Sequence, residues 1–182
     1  MPDTSQIVTS RARVSGVFFV GPTTATLPTS ASATFTGFDE LGYVSSDGIT
    51  QSIDRSSTKL VDMSGDVVKV IDGTHELQYR LKPYQLTAEF LKIILGEDNV
   101  TVTSGELTAA TINSKALEAH AYIFDMMLSN GKLLRVVVPN AQLSAQGDIV
   151  FGVPNTVSSE MTITALPDAN GNKAYYYFAD AA

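Results

Sequence analysis

His75 and His120 are the only imidazoles in the chain, and with Glu76 and Glu118 they form the one combination that suggests metal binding. A structural zinc site needs four such groups converging at roughly 2 Å. Glu118 and His120 stand at i and i+2 and share a strand face, whereas His75 and Glu76 are adjacent and point to opposite faces. At most three ligands remain, on two strands of open register, so ordinary sheet-surface or interface histidines are expected and no metal or other cofactor is. The serines lie in polar stretches without a G-x-S-x-G elbow, and the phosphate-cradling, dinucleotide and H-E-x-x-H patterns are all missing. Asp39-Glu40 and Asp62 with Asp66 are carboxylate pairs of the kind acidic loops carry, not a spaced glycosidase pair. Asn99-Val100-Thr101 is a formal glycosylation sequon, with meaning only in a secretory pathway. Catalysis is therefore not expected.

The elements that would hold these residues announce themselves through turn chemistry. Asp72-Gly73, Asn130-Gly131 and Asn170-Gly171 each separate runs rich in β-branched and aromatic residues. Tight hairpin turns need positive φ, which Gly adopts freely and Asn or Asp tolerates, so three hairpins are expected. A single helix is expected at about residues 85–95, where Leu86, Phe90, Leu91 and Ile94 share a face and Gly96 stands at the C-terminal cap. Together these give a mainly β fold: an antiparallel sandwich or barrel with one flanking helix, in a single domain spanning 1–182.

Composition agrees with a packed domain. The chain is 44% hydrophobic and 17% charged, has no cysteine, and carries a formal net charge of −7. The acidic balance disfavours tight binding to nucleic acid or to anionic membranes, and no apolar run approaches the ~20 residues that span a bilayer. Arg11 and Arg13 followed by Val14–Val20 and Ala31-Ser32-Ala33 imitate a signal peptide, but the apolar stretch is short and broken by Ser15 and Gly16. A strand followed by a polar loop is expected there. The lack of cysteine fits synthesis in a reducing cytoplasm.

Two features carry more information. From Ser45 to Asp66 the chain is Ser-, Thr- and Asp-rich, with Asp47-Gly48 as a further turn signal and few sizeable apolar residues. A polar excursion of that length in a compact domain is usually functional or disordered. Strand alternation also divides His75, Leu77, Tyr79 and Leu81 from Glu76, Gln78 and Arg80, and Met161 and Ile163 from Glu160, Thr162 and Thr164. One face of each strand is core and the other polar and partly acidic, which from the residues alone reads first as a plain solvated exterior.

Gly42-Tyr43-Val44-Ser45-Ser46-Asp47-Gly48-Ile49-Thr50, then Ile53-Asp54-Arg55 and Gly65-Asp66-Val67-Val68, resembles the major tail tube proteins of siphophages infecting actinobacteria and related hosts. The resemblance continues through Leu95-Gly96, Asp98-Asn99-Val100 and the Asn130-Gly131 hairpin with Val136-Val137-Val138-Pro139, and covers about the whole chain. It departs at the carboxyl end, where many relatives add an immunoglobulin-like domain and this sequence stops at Ala182.

The resemblance implies a virion protein assembled in the host cytoplasm, a subunit of hexameric rings stacked into a tail tube around a tape-measure protein. Its other partners would be tail tip or baseplate and tail terminator proteins, with genomic double-stranded DNA passing through unbound and no membrane involved. Residues 45–66 would be the extended inter-ring loop, anchored by Ile49, Ile53, Leu60 and Val61, with Asp54 and Arg55 setting register. Glu76, Gln78, Glu160, Thr162 and Thr164 would line the lumen, where a cationic wall would hold DNA phosphates. The alternatives are a monomeric or small-oligomer β-sandwich binding or decoration protein, or a secretion-system tube protein.

Overall fold

The computed structural model describes residues 7–13, 16–153 and 156–181. It contains β1 (Ser10–Ala12), β2 (Phe18–Pro22), β3 (Asp39–Glu40), β4 (Thr50–Val61), β5 (Val67–Leu81), α1 (Ala88–Leu95), β6 (Val100–Thr103), β7 (Glu106–Ala110), β8 (Ala119–Leu128), β9 (Lys132–Gln146), β10 (Met161–Ala165) and β11 (Tyr175–Asp180). The main sheet runs β3-β2-β8-β9-β10-β5-β4, with β1 also on β8 and β11 also on β9. All its pairings are antiparallel, and β6–β7 forms a separate ribbon. The architecture is mainly β with one flanking helix, as the turn and periodicity signals require.

The β8–β9 hairpin is the organising element. Gly131 takes a φ of 82° and donates its N–H to Leu128, while Asn130 Oδ1 accepts the N–H of Lys132 at 3.2 Å. The strand β9 is long enough to serve two neighbours, β11 along Lys132–Val137 and β10 along Ala141–Gln146. Phe18, Tyr122, Phe124, Val136 and Val138 point to one side of the sheet, joined by Leu77, Tyr79, Met161 and Ile163 and closed by Phe90 and Ile94 of α1. Phe124 touches both Phe18 and Tyr79, with ring centroids 5.2 and 5.1 Å apart, so strands from distant parts of the curled sheet meet in one core. On the opposite side Phe19, Ile123 and Val137 pack beneath Leu27, Phe35 and Phe38 of the β2–β3 connection.

The helix begins later than its apolar stripe suggests. Thr87 caps it, its side chain accepting the N–H of Phe90, and Gly96 returns its N–H to Lys92 with a φ of 96°. Leu86 falls outside and is exposed, and Ile93 takes its place in the core. Burying each such side chain is worth about 1.5–3 kcal/mol.

Two turn expectations need correction. Asp72-Gly73 is no turn: β5 runs straight through it. The hairpin reverses instead at Asp62–Asp66, where Asp62 Oδ1 accepts the N–H groups of Ser64 and Asp66, each at 2.9 Å, and Gly65 supplies a φ of 91°. A five-residue loop closed on one carboxylate satisfies more backbone donors than a two-residue turn could, and the polar segment before it is free to pair. Gly73 serves as a bulge. The register slips between Arg55↔His75 and Ser57↔Asp72, and a Cβ at Gly73 would stand 2.3 Å from Ser56 Oγ. The Asn170-Gly171 turn does form, with Gly171 at a φ of 80°, but β10 and β11 pair with successive halves of β9 and not with each other.

Candidate assembly surfaces

The segment expected as an extended loop is mostly a strand. Thr50–Val61 pairs with Val67–Arg80 to form a hairpin, and from Leu77 outwards toward the tip its two strands pair, among the described residues, only with each other. At ~3.3 Å per residue the stretch Ile53–Val61 adds roughly 25–30 Å of projecting ribbon. Its base is tied down: Ser45 donates its N–H to Lys82, Tyr84 donates its N–H to Tyr43, and the Tyr84 hydroxyl reaches Ser45 Oγ at 3.2 Å. The residues Tyr43–Gly48 are thus the footing of the hairpin.

Of the six expected inter-ring residues, Ile49 is half-buried at this footing and packs against the main core. Ile53, Asp54, Arg55, Leu60 and Val61 project on the hairpin and are exposed. The return strand adds Val67, Val68, Val70 and Ile71, all exposed, with a fully exposed Met63 at the tip. The run Val67-Val68-Lys69-Val70-Ile71 reads from sequence as a β-strand, and strand propensity does not say whether anything packs on it. So many exposed aliphatic side chains on one two-stranded ribbon make it the candidate contact surface of this fold.

The five expected lumen residues fall on one contiguous face. Thr164 is the register partner of Gln78 and Thr162 of Arg80, and Gln78 Nε2 donates to Glu76 Oε1 at 2.7 Å and to Thr164 Oγ1 at 3.5 Å. Glu160 extends the row, with its Oε1 3.8 Å from Arg80 Nε. Ser52 and Asp54 continue it onto β4, as register partners of Gln78 and Glu76. The opposite side of the same strands holds Leu77, Tyr79, Met161 and Ile163 in the core. This polar face is therefore a property of the sheet, three strands wide.

The histidines do not converge. His75 is exposed on β5 and His120 is buried on β8, with β10 and β9 between them in the sheet. Burial against Tyr122 pushes the His120 pKa below its ordinary value, opposed in part by Glu97 and Glu118. Tyr79 and Tyr122 are held protonated, their pKa values raised by burial and, for Tyr79, by its hydroxyl contact with Tyr176 at 3.3 Å.

One buried polar group was not anticipated. Asp125 and Arg135, each buried, form a forked ion pair with Nε–Oδ1 at 2.6 Å and Nη2–Oδ2 at 2.7 Å. Arg135 Nη1 also donates to the carbonyls of Ser30 and Ala33 at 2.9 and 2.7 Å, and the guanidinium lies 4.7 Å from the Phe35 ring centroid. Arg13 adds a second contact to Asp125 at 3.3 Å. The clamp pins the Ser- and Ala-rich connection onto the sheet, supplying order that its few apolar residues cannot. The signal was available: Asp125 and Arg135 interrupt apolar runs at equal distances from Asn130 and so face each other across the hairpin.

A polar sheet face, a projecting aliphatic hairpin and ion pairs committed to fastening loops define a structural protein that works through its surfaces. The sequence model of the phage tail tube protein family matches residues 1–182, and the chain belongs to that family, whose members are tube-forming structural proteins and not enzymes. No curated protein matches the sequence. Among solved structures, similarity extends to the sheath/tube terminator of the PVC extracellular contractile injection system in the extended state (TM-score 0.42, 10% identity, 91% of this chain and 96% of that one). It extends also to the tube-terminating cap of the anti-feeding prophage (TM-score 0.43, 11% identity, 94% and 92%) and to the extended PVC sheath–tube complex (0.42, 10%, 94% and 93%). Likenesses of this size carry no functional weight.

Proposed function

We propose that this chain is the major tail tube subunit of a long-tailed, non-contractile phage. It polymerises as stacked hexameric rings around a tape-measure protein, between a tail terminator and a tail tip, and the finished tube conducts DNA out of the capsid. The observation that carries this is the β4–β5 hairpin. Among the described residues its outer strand has a free edge twelve residues long, a liability in a monomer that ring closure removes by pairing it with the neighbouring subunit. The exposed aliphatic residues from Ile53 to Ile71 are then covered in the assembly, with Ile53, Leu60 and Val61 among the anchors and Asp54 and Arg55 at the polar rim.

The face bearing Glu76, Gln78, Glu160, Thr162 and Thr164 lines the lumen in this proposal. Its hydroxyls, amide and carboxylates offer phosphates no persistent cationic partner beyond Arg80, which lies beside Glu160. The test is Glu76→Lys with Glu160→Lys in virions. Tubes should assemble normally while DNA ejection slows several-fold at low salt and recovers at high salt. Unchanged ejection at both salt concentrations would remove these residues from the lumen. A tube of secretion-system type would use the same surfaces, and particles carrying packaged DNA would separate the virion reading from it.

A further inference from the structure

The hairpin has an acidic end and a cationic root. At the tip, Asp62 and Asp66 flank the fully exposed Met63, and no basic residue stands between Val61 and Val67. Asp62 spends one carboxylate oxygen on the turn, leaving its other oxygen and the whole Asp66 carboxylate facing solvent. At the root, on the side of the ribbon continuous with the core face, lies a recess of about 340 Å³ bounded by Ile53, Arg55, His75, Leu77, Lys173 and Tyr176. None of its lining residues is acidic, in a chain whose net charge is −7. Among the described residues neither Arg55 nor Lys173 has a carboxylate within ion-pair distance. Lys173 is held in place by donating to the His75 carbonyl, which leaves further ammonium hydrogens for a ligand.

We infer that the recess is the seat for the hairpin tip of a second copy of this chain, Met63 entering against Ile53 and Leu77 while Asp62 and Asp66 meet Arg55 and Lys173. The inference rests on the tube reading and names the receiving site that reading leaves open. Tip and root lie roughly 25–30 Å apart along one ribbon, so a chain cannot fill its own recess. The contact is heterologous: each copy offers a tip and a root, and repeating the step propagates a stack along the hairpin direction without closing. The axial repeat of the assembly is then set by the length of the hairpin. Charge pairing at the seat also rejects a ring docked upside down, because tip against tip places four carboxylates together.

The chain has no cysteine, so two introduced thiols report this contact alone. Met63→Cys with Ala174→Cys, assembled and treated with a short bismaleimide, should give a ladder of covalent oligomers, absent from either single variant. Tubes without a ladder would overturn the seat while leaving the tube reading intact. A second arm uses charge. Arg55→Glu with Lys173→Glu should raise the concentration needed for assembly at least tenfold. Asp62→Asn with Asp66→Lys should do the same, and all four changes together should restore at least part of the loss. Assembly indifferent to every one of these changes would also overturn the seat. An unaltered chain that forms neither rings nor tubes at any concentration would sink the tube reading and the seat together.

Discussion

Replacing Arg135 by alanine should be among the most damaging single substitutions in this protein, although the residue is buried and lies on neither the projecting hairpin nor the polar face. The change deletes both arms of the fork to Asp125 and the two bonds to the Ser30 and Ala33 carbonyls. Asp125, 4% exposed at its side chain, would keep only the 3.3 Å contact from the partly exposed Arg13. Removing one partner of a buried pair typically costs about 3–5 kcal/mol, because the other charge stays buried without compensation. The remaining Arg13 contact places the expectation near the lower end, ~3 kcal/mol. At roughly 2–4 °C per kcal/mol for a domain of this size, the midpoint should fall by ~6–12 °C. Thermal unfolding of the unassembled subunit followed by circular dichroism measures this. Asp125→Leu with Arg135→Met should recover part of the loss, since an apolar pair of similar volume needs no charge compensation while the Ser30 and Ala33 carbonyls still lack their donor. A fall below ~1 kcal/mol for Arg135→Ala, or a double variant no better than the single, would refute the clamp.

Replacing residues 57–72 by a tight turn should leave the unfolding midpoint within a few degrees of the parent, because the removed residues are all exposed, and should abolish tubes. A large loss of stability would show that the distal ribbon supports the fold. His120 predicts a pH effect of defined sign. Its folded-state pKa is depressed by burial, so the stability of the neutral buried ring is present above the unfolded value of ~6.5 and is lost as pH falls below it. The midpoint should drop between pH 7.5 and 5.5, and His120→Gln should flatten that drop; an unaltered slope would assign the effect to other groups.

The parts of this fold that were legible from the residues are those set locally. Thr87 to Gly96 contains a cap, an apolar stripe and a stop, and it forms the helix with a shift of a few residues at its start. Asn130-Gly131 joins strands that bury each other and becomes a hairpin. Asn170-Gly171 turns the chain equally well, yet its flanking strands find partners on β9, a choice made by tertiary packing. Asp72-Gly73 lost its turn to the Asp62-centred loop, and with it the division of residues 45–81 into a loop and a core hairpin. Period-two alternation placed Gln78, Thr162 and Thr164 on a common polar side before any register was known, and β5–β10 pairing made them neighbours. Strand propensity could not tell that Val67, Val68, Val70 and Ile71 face solvent, because exposure depends on what the rest of the chain leaves uncovered.

The central claim is that this chain is built to cover its own hairpin with copies of itself. Electron microscopy of the purified protein across a concentration series tests it most directly. Stacked rings or tubes, with an axial repeat governed by the hairpin and its β4 edge paired between subunits, are the expected result. Monodisperse single subunits at every concentration, with the hairpin still accessible to protease between Asp62 and Asp66, would contradict it.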